Sequence, residues 1–428
     1  MNADLVLTPI LCYLFEKHNQ YKDLIKLVDG REITIIDSGH IGEYSNIYYN
    51  VIVEVDGLQQ MVRTAIFYDS ESWLNWQKGN SDVAQTIGMV VVAEEKDDID
   101  RYSTHSLLCV KCSVPYLLHE RLYEIIAADG SLCGGYLSKM DNLSSFEIFY
   151  RYAIERMEAK HDKVLSFYQE TGGCMRDAFV ATIFDSIEIQ KKRNRKNFNT
   201  LIRNIGYDTL LKNLNTVEEV EALLFGAAGM FNRCKRHDGH TEKLLKLYLD
   251  MKRKYSILEI GGHLWDYSTI SPENNLHIVF AQLAAIIINT KDILSHLDQG
   301  ITLKDLYAFV SCETHTYWLT HNTLSGEETF LQSKRIMSCA RKDRMVINGF
   351  VPFLFFYYKN NSDFEKSEML LSMLENIPQE DNAIVRQWQK NGVVINNALI
   401  SQAILQISKV YCKEKRCTVC MIGRKMLG

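Results

Sequence analysis

The sequence predicts an α/β N-terminal domain built on a mixed sheet, followed by a larger all-α domain. Three observations carry this. β-Branched and aromatic residues alternate through the chain up to Ala127, apolar spacing near 3.6 residues dominates after Ser145, and only five prolines interrupt 428 residues. The boundary falls at 140/141. It gives a sheeted domain over 1–140 and a helical domain over 141–428 that ends in a cysteine cluster.

In chain order, a helix is expected at Leu5–His18 and strands at Ile33–Asp37, Tyr48–Val55, Met61–Tyr68, Ile87–Ala93 and Ser106–Lys111, before a helix at Tyr116–Ala127. Val55-Asp56-Gly57-Leu58 joins two of these strands as a tight hairpin, because Asp-Gly accepts positive φ at both central positions. The unbroken apolar run Gly88–Ala93 reads as a strand covered on both faces. Later helices are expected at Phe146–Tyr168, Arg176–Lys192, Asn197–Asn204, Val217–Phe225, Glu242–Lys254, His277–Asn289, Leu303–Val310, Arg344–Tyr358, Asp363–Leu374, Ala383–Lys390 and Ala398–Tyr411. Thr216 with Glu219 has the form of a capping box, and Thr302 with Asp305 that of a weaker cap.

Lys and Arg number 48 against 53 Asp and Glu, so the net charge of −5 confines any phosphate contact to a local basic run. The longest apolar stretches, Gly349–Tyr358 and Ala281–Ile288, fall short of the roughly 18 residues that cross a bilayer, and no membrane partner is expected. Eleven cysteines behind an N-terminus without signal-peptide form fit a reducing compartment, the cytoplasm.

Cys412-Lys-Glu-Lys-Arg-Cys417-Thr-Val-Cys420 places three thiols in one short segment after a helix. Thiolates spaced this way converge on a zinc ion, and the same spacing opens an iron–sulfur pattern whose fourth ligand comes from elsewhere. Lys413, Lys415 and Arg416 are expected to lower the thiol pKa values, and no fourth ligand is apparent beyond Cys420. Free thiols on a solvated tail are the structural alternative. Cys109 and Cys112 sit three apart in an expected strand and face opposite ways.

Two histidine groups, Cys234…His237-Asp-Gly-His240 and Cys312-Glu-Thr-His315…His321, match no specific motif and read most simply as solvated turns. Lys191, Lys192, Arg193, Arg195 and Lys196 concentrate positive charge and are candidate nucleic-acid contacts, with Arg203, Arg233, Lys235 and Arg236 as an extension. The competing reading is a helix C-terminus whose cations complement the macrodipole. Trp265, Trp318, Trp388 and the aromatic run to Tyr358 read as core.

Glu221–Gly229, Phe280–Ala285, Ile347–Phe355 and Ser401–Gln406, in this order and followed by the cysteine tail, resemble a bacterial family catalogued as domain of unknown function 2851. The likeness covers nearly the whole chain and implies that Cys412, Cys417 and Cys420 match three tail cysteines of the family. The family's N-terminal layout resembles a restriction-type nuclease core, in which strand carboxylates hold Mg²⁺. With the hairpin in register, the implied Asp falls on Ile47, the Glu on Ala65, the strand His on Phe67, and later histidines near Trp76 and Lys78. None of those first three residues offers a ligating atom. The resemblance therefore implies an uncharacterised, nuclease-like but non-catalytic binding or scaffold protein, with zinc the first cofactor expected and an iron–sulfur cluster the second. The alternatives are a metal-dependent nuclease with relocated carboxylates (Glu54, Asp69, Glu71, Asp82) and a sensor built on the tail.

Overall fold

The computed structural model describes every residue except 1–2, 42–43, 45, 94–106, 208–213, 269–273 and 331. The chain divides into two compact units, one of Met1–Ile148, Ala383–Val394 and Ile404–Gly428, the other of Phe149–Asn382 and Ile395–Ala403. This differs from the division expected at 140/141, which kept the cysteine tail with the helices. The tail returns because its last helix, Met421–Leu427, packs on helices Tyr116–Ala127 and Ser131–Leu137 and buries Ile422 and Leu427.

In the first unit, seven strands form one mixed sheet: β1 (Ile25–Leu27), β2 (Ile33–Asp37), β3 (His40–Ile41), β4 (Ile47–Val55), β5 (Leu58–Ile66), β6 (Met89–Val92) and β7 (Leu108–Cys112). The order is β1-β7-β6-β5-β4-β2, with β3 also on β4; β6 runs parallel to both neighbours and the other pairs are antiparallel. All four residues of β6 are buried, as an unbroken apolar strand requires. At the β4–β5 turn, Asp56 and Gly57 take φ of 51° and 78°, the paired positive values that the Asp-Gly signal demands. β1 and β3 were not anticipated, since two or three residues are too few to show alternation.

The second unit is helical. Helix Leu276–Asn289 is buried from Leu276 to Ile287, and helix Val217–Ala227 packs against both it and helix Gly239–Tyr255. Gly226 sets that last approach, because a Cβ there would lie 2.1 Å from the Tyr248 ring. Both anticipated caps form as full capping boxes. The expected helix Arg344–Tyr358 instead runs as Cys339–Met345, a wide π-type turn at Val346–Phe350, and Val351–Asn360. Pro352, lacking an amide proton, breaks the regular ladder there. Trp265 and Trp318 in this unit, and Trp388 in the first, are buried as expected for core residues.

Candidate functional site

In the sheet, Ile47 pairs directly with Ala65, and both are completely buried. Phe67, Trp73, Val90 and Val92 pack in the same apolar cluster, against which Trp76 leans. The Phe67 ring lies 5.6 Å from Trp73 and 5.7 Å from Trp76, and the two indoles stack at 5.6 Å. The positions to which the resemblance assigned an acid pair and a strand histidine thus hold hydrocarbon and an aromatic ring, and those of the later histidines hold Trp76 and an exposed Lys78. The proposed replacement carboxylates do not gather. Glu54 accepts from Gln59 across the hairpin, Asp69 caps helix Ser70–Gly79 through the Ser72 amide, and Glu71 and Asp82 are exposed.

A cavity of about 840 Å³ opens beside this cluster, walled by Tyr48, Phe67 and Trp76 and reached by Lys415 and Arg416. Those two cations sit on the tail loop between Cys412 and Cys417, where Lys415 takes φ of 55° and Lys415 and Arg416 donate their amides to Cys412 and Tyr411. Sequence reasoning missed this cavity, because the loop and the strand end are some 350 residues apart (415 − 67 = 348).

A fourth thiol lies near those of the tail. Cys133, on helix Ser131–Leu137, lies within electrostatic reach of Cys412, Cys417 and Cys420 in the same unit. Burial pushes the Cys133 and Cys412 thiols up to about 12 and Cys417 to about 11, with each other's charge adding to the rise. The expectation that flanking cations lower these values is therefore corrected: Lys415 acts on Cys417, but desolvation outweighs it. Four sulfurs are the donor set of zinc or of an iron–sulfur cluster. No three of them close to within 4.8 Å, a spacing met among the described residues only by Glu218, His240 and His315.

The basic run opens helix Lys192–Ile205, contrary to the expectation of a helix C-terminus, because the preceding helix stops at Ser186. Lys191 pairs with Asp266 at 2.8 Å, and Arg195 turns inward to the carbonyls of Phe184 and Ile187. Lys192, Arg193 and Lys196 stay exposed.

The two histidine groups, unremarkable separately, meet. His240, in the first turn of helix Gly239–Tyr255, stacks on His315 at 4.6 Å and on Tyr317 at 4.2 Å, and Tyr317 stacks on His321 at 4.0 Å. Carboxylates line this column. Glu218 Oε1 lies 3.1 Å from His315 Nε2, Glu221 Oε2 lies 3.7 Å from His240 Nε2, and Asp238 accepts the Tyr317 hydroxyl at 2.7 Å. Glu218 and Glu221 share a face of helix Val217–Ala227 because they are three apart, while Glu219 turns back to close the capping box. The Lys243 ammonium, bonded to both Glu218 oxygens, holds that carboxyl below its usual range, and burial pushes Glu221 above it. Burial, with His240 alongside, lowers His315.

A family model described as a protein of unknown function (DUF2851) matches residues 9–383. No curated protein and no solved structure matches the chain. The matched span contains Ile47, Ala65, Cys133, Glu218, His240 and His315 and stops short of the tail cysteines.

Proposed function

The chain belongs to the DUF2851 family, a family of unknown function, and we propose that this protein binds a planar anionic ligand of nucleotide or nucleic-acid type without cleaving it. One observation carries the reading: the cavity beside Ile47 and Ala65 is walled by Phe67 and Trp76 and lined by Lys415 and Arg416, which outnumber the neighbouring Glu414. Aromatic faces stack bases, and cations take phosphate. Isoleucine and alanine at the buried strand pair offer no atom to hold Mg²⁺ or move a proton, which supports binding over catalysis.

In this reading Cys133, Cys412, Cys417 and Cys420 hold a zinc ion that fixes the tail loop and so presents Lys415 and Arg416 to the cavity. A count of eleven cysteines supports a reducing compartment such as the cytoplasm. Lys192, Arg193 and Lys196 are available for further phosphate contact, a narrower part of the same proposal.

The test is a salt titration of binding to a fluorescent oligonucleotide. Trp76→Ala is expected to lose about 1–3 kcal/mol of binding. Replacing Lys415 and Arg416 by Ser should flatten the salt slope by about 1–2. Binding unaffected by all three changes would reject the cavity, and unchanged binding after replacing Lys192, Arg193 and Lys196 by Ser would reject the narrower contact. Stoichiometric zinc that disappears in Cys133→Ser is expected of the tail; brown, iron-containing protein would replace zinc by a cluster. Mg²⁺- or Mn²⁺-dependent cleavage abolished by a change at Glu54, Asp69 or Glu71 would overturn the non-catalytic reading.

A further inference from the structure

We propose that Glu218, His240 and His315, with the buried Glu221 facing His240, form a second metal site, in the helical unit, for a divalent transition ion such as zinc. The ligand atoms of Glu218, His240 and His315 already lie within 4.8 Å of one another. Imidazole nitrogen with carboxylate oxygen is a donor set that zinc and its first-row neighbours favour.

Glu221 supplies the independent observation. Its carboxylate is 0% exposed; Oε1 accepts the Trp318 indole proton at 2.7 Å, but Oε2 has no hydrogen-bond partner. His240 Nε2, also buried and also without a hydrogen-bond partner, is the atom it faces at 3.7 Å. Two buried polar atoms that meet each other at slightly more than hydrogen-bond distance are costly, and an ion between them satisfies both.

The remaining contacts are those that an ion must displace. His315 Nδ1 accepts the Tyr317 amide, which leaves the proton on Nε2 to be donated to Glu218 Oε1. Lys243 meanwhile neutralises Glu218 from the solvent side, its own side chain 58% exposed. An ion bound at Nε2 takes the place of that proton, moves the ring proton to Nδ1 at the expense of the Tyr317 cap, and displaces the Lys243 ammonium. Lys243 is thus a built-in competitor of the ion. The stacked column His315–His240–Tyr317–His321 and the Trp318 indole hold the rings in place around it.

The test is a Co²⁺ titration of the full chain, followed by absorption. Wild type should show two classes of bound cobalt, one with a sulfur-to-metal charge-transfer band and one without. Cys417→Ser should lose the first and keep the second. Glu218→Gln and His240→Asn, checked for intact helical circular dichroism, should weaken the second by about a hundredfold while leaving the first. Lys243→Met should tighten the second class. A Cys417→Ser protein that binds no cobalt, or Glu218→Gln binding as tightly as wild type, would reduce the cluster to an ion-free salt bridge. Because the two classes have separate signatures, failure of the tail site and failure of this one cannot be confused.

Discussion

Two buried places, one in each unit, are filled in opposite ways. At the β4–β5 pair of the first unit, where the family resemblance implies an acid pair, Ile47 and Ala65 fill the space with hydrocarbon that asks for no partner. In the second unit, Glu221 and His240 bury polar atoms that their surroundings leave unsatisfied. A fold resemblance draws attention to the first place, whereas desolvation energetics draw it to the second. Ligand chemistry follows the unsatisfied atoms rather than the architecture that houses them.

The sharpest way to break the contrast is to reverse it. Ile47→Asp places a carboxylate in a closed apolar cluster and should cost about 3–5 kcal/mol in urea unfolding. A variant that keeps wild-type stability, or regains it with Mg²⁺, would show that the strand pair still accommodates an ion.

Acid reports on burial in the helical unit. His277 is buried against Phe225 and Tyr267, and burial, aided by Arg233, lowers its pKa from 6.5 to about 4. The folded state disfavours the proton that the unfolded chain accepts, so stability is full above about pH 6.5 and falls as pH drops towards 4, by on the order of 3 kcal/mol. His277→Gln should flatten that part of the curve; an unchanged pH profile would contradict the assignment.

Smaller changes sharpen the geometry of the second site. Gly226→Ala forces Tyr248 away and should cost about 1–3 kcal/mol while loosening non-sulfur cobalt binding, because it parts the helices that carry Glu218 and His240. Thr216→Ala removes one side of the capping box and should cost about 1 kcal/mol with no effect on zinc binding at the proposed tail site. Smallest of all, Lys192→Ser should leave stability within about 0.5 kcal/mol, since the side chain is exposed.

Local signals made much of the fold legible. Asp56-Gly57, the apolar run of β6 and the two capping boxes each depend on neighbours a few residues away, and each appears where expected, whereas the helices expected at Arg176–Lys192 and Arg344–Tyr358 have other bounds. β1 and β3 escaped because they are held by pairing with β7 and β4 rather than by their own pattern. The sites were less legible for the same reason. His240 and His315 were each visible as part of a histidine group, yet only the packing of helix Val217–Ala227 brings them to Glu218. Cys133 is far in sequence from Cys412, and no spacing rule joins them. The capping box drew attention to Glu219, which faces away, while its neighbours Glu218 and Glu221 face His315 and His240. Electrostatics misled at the tail, where the flanking cations are plain in sequence but the desolvation that overrides them is not.

Anomalous scattering collected across the zinc edge from crystals of the full chain tests the central contrast most directly. The account predicts one peak among Cys133, Cys412, Cys417 and Cys420, a second among Glu218, Glu221, His240 and His315, and none beside Ile47 and Ala65. A metal peak on the sheet at that strand pair, with the other two positions empty, would contradict it.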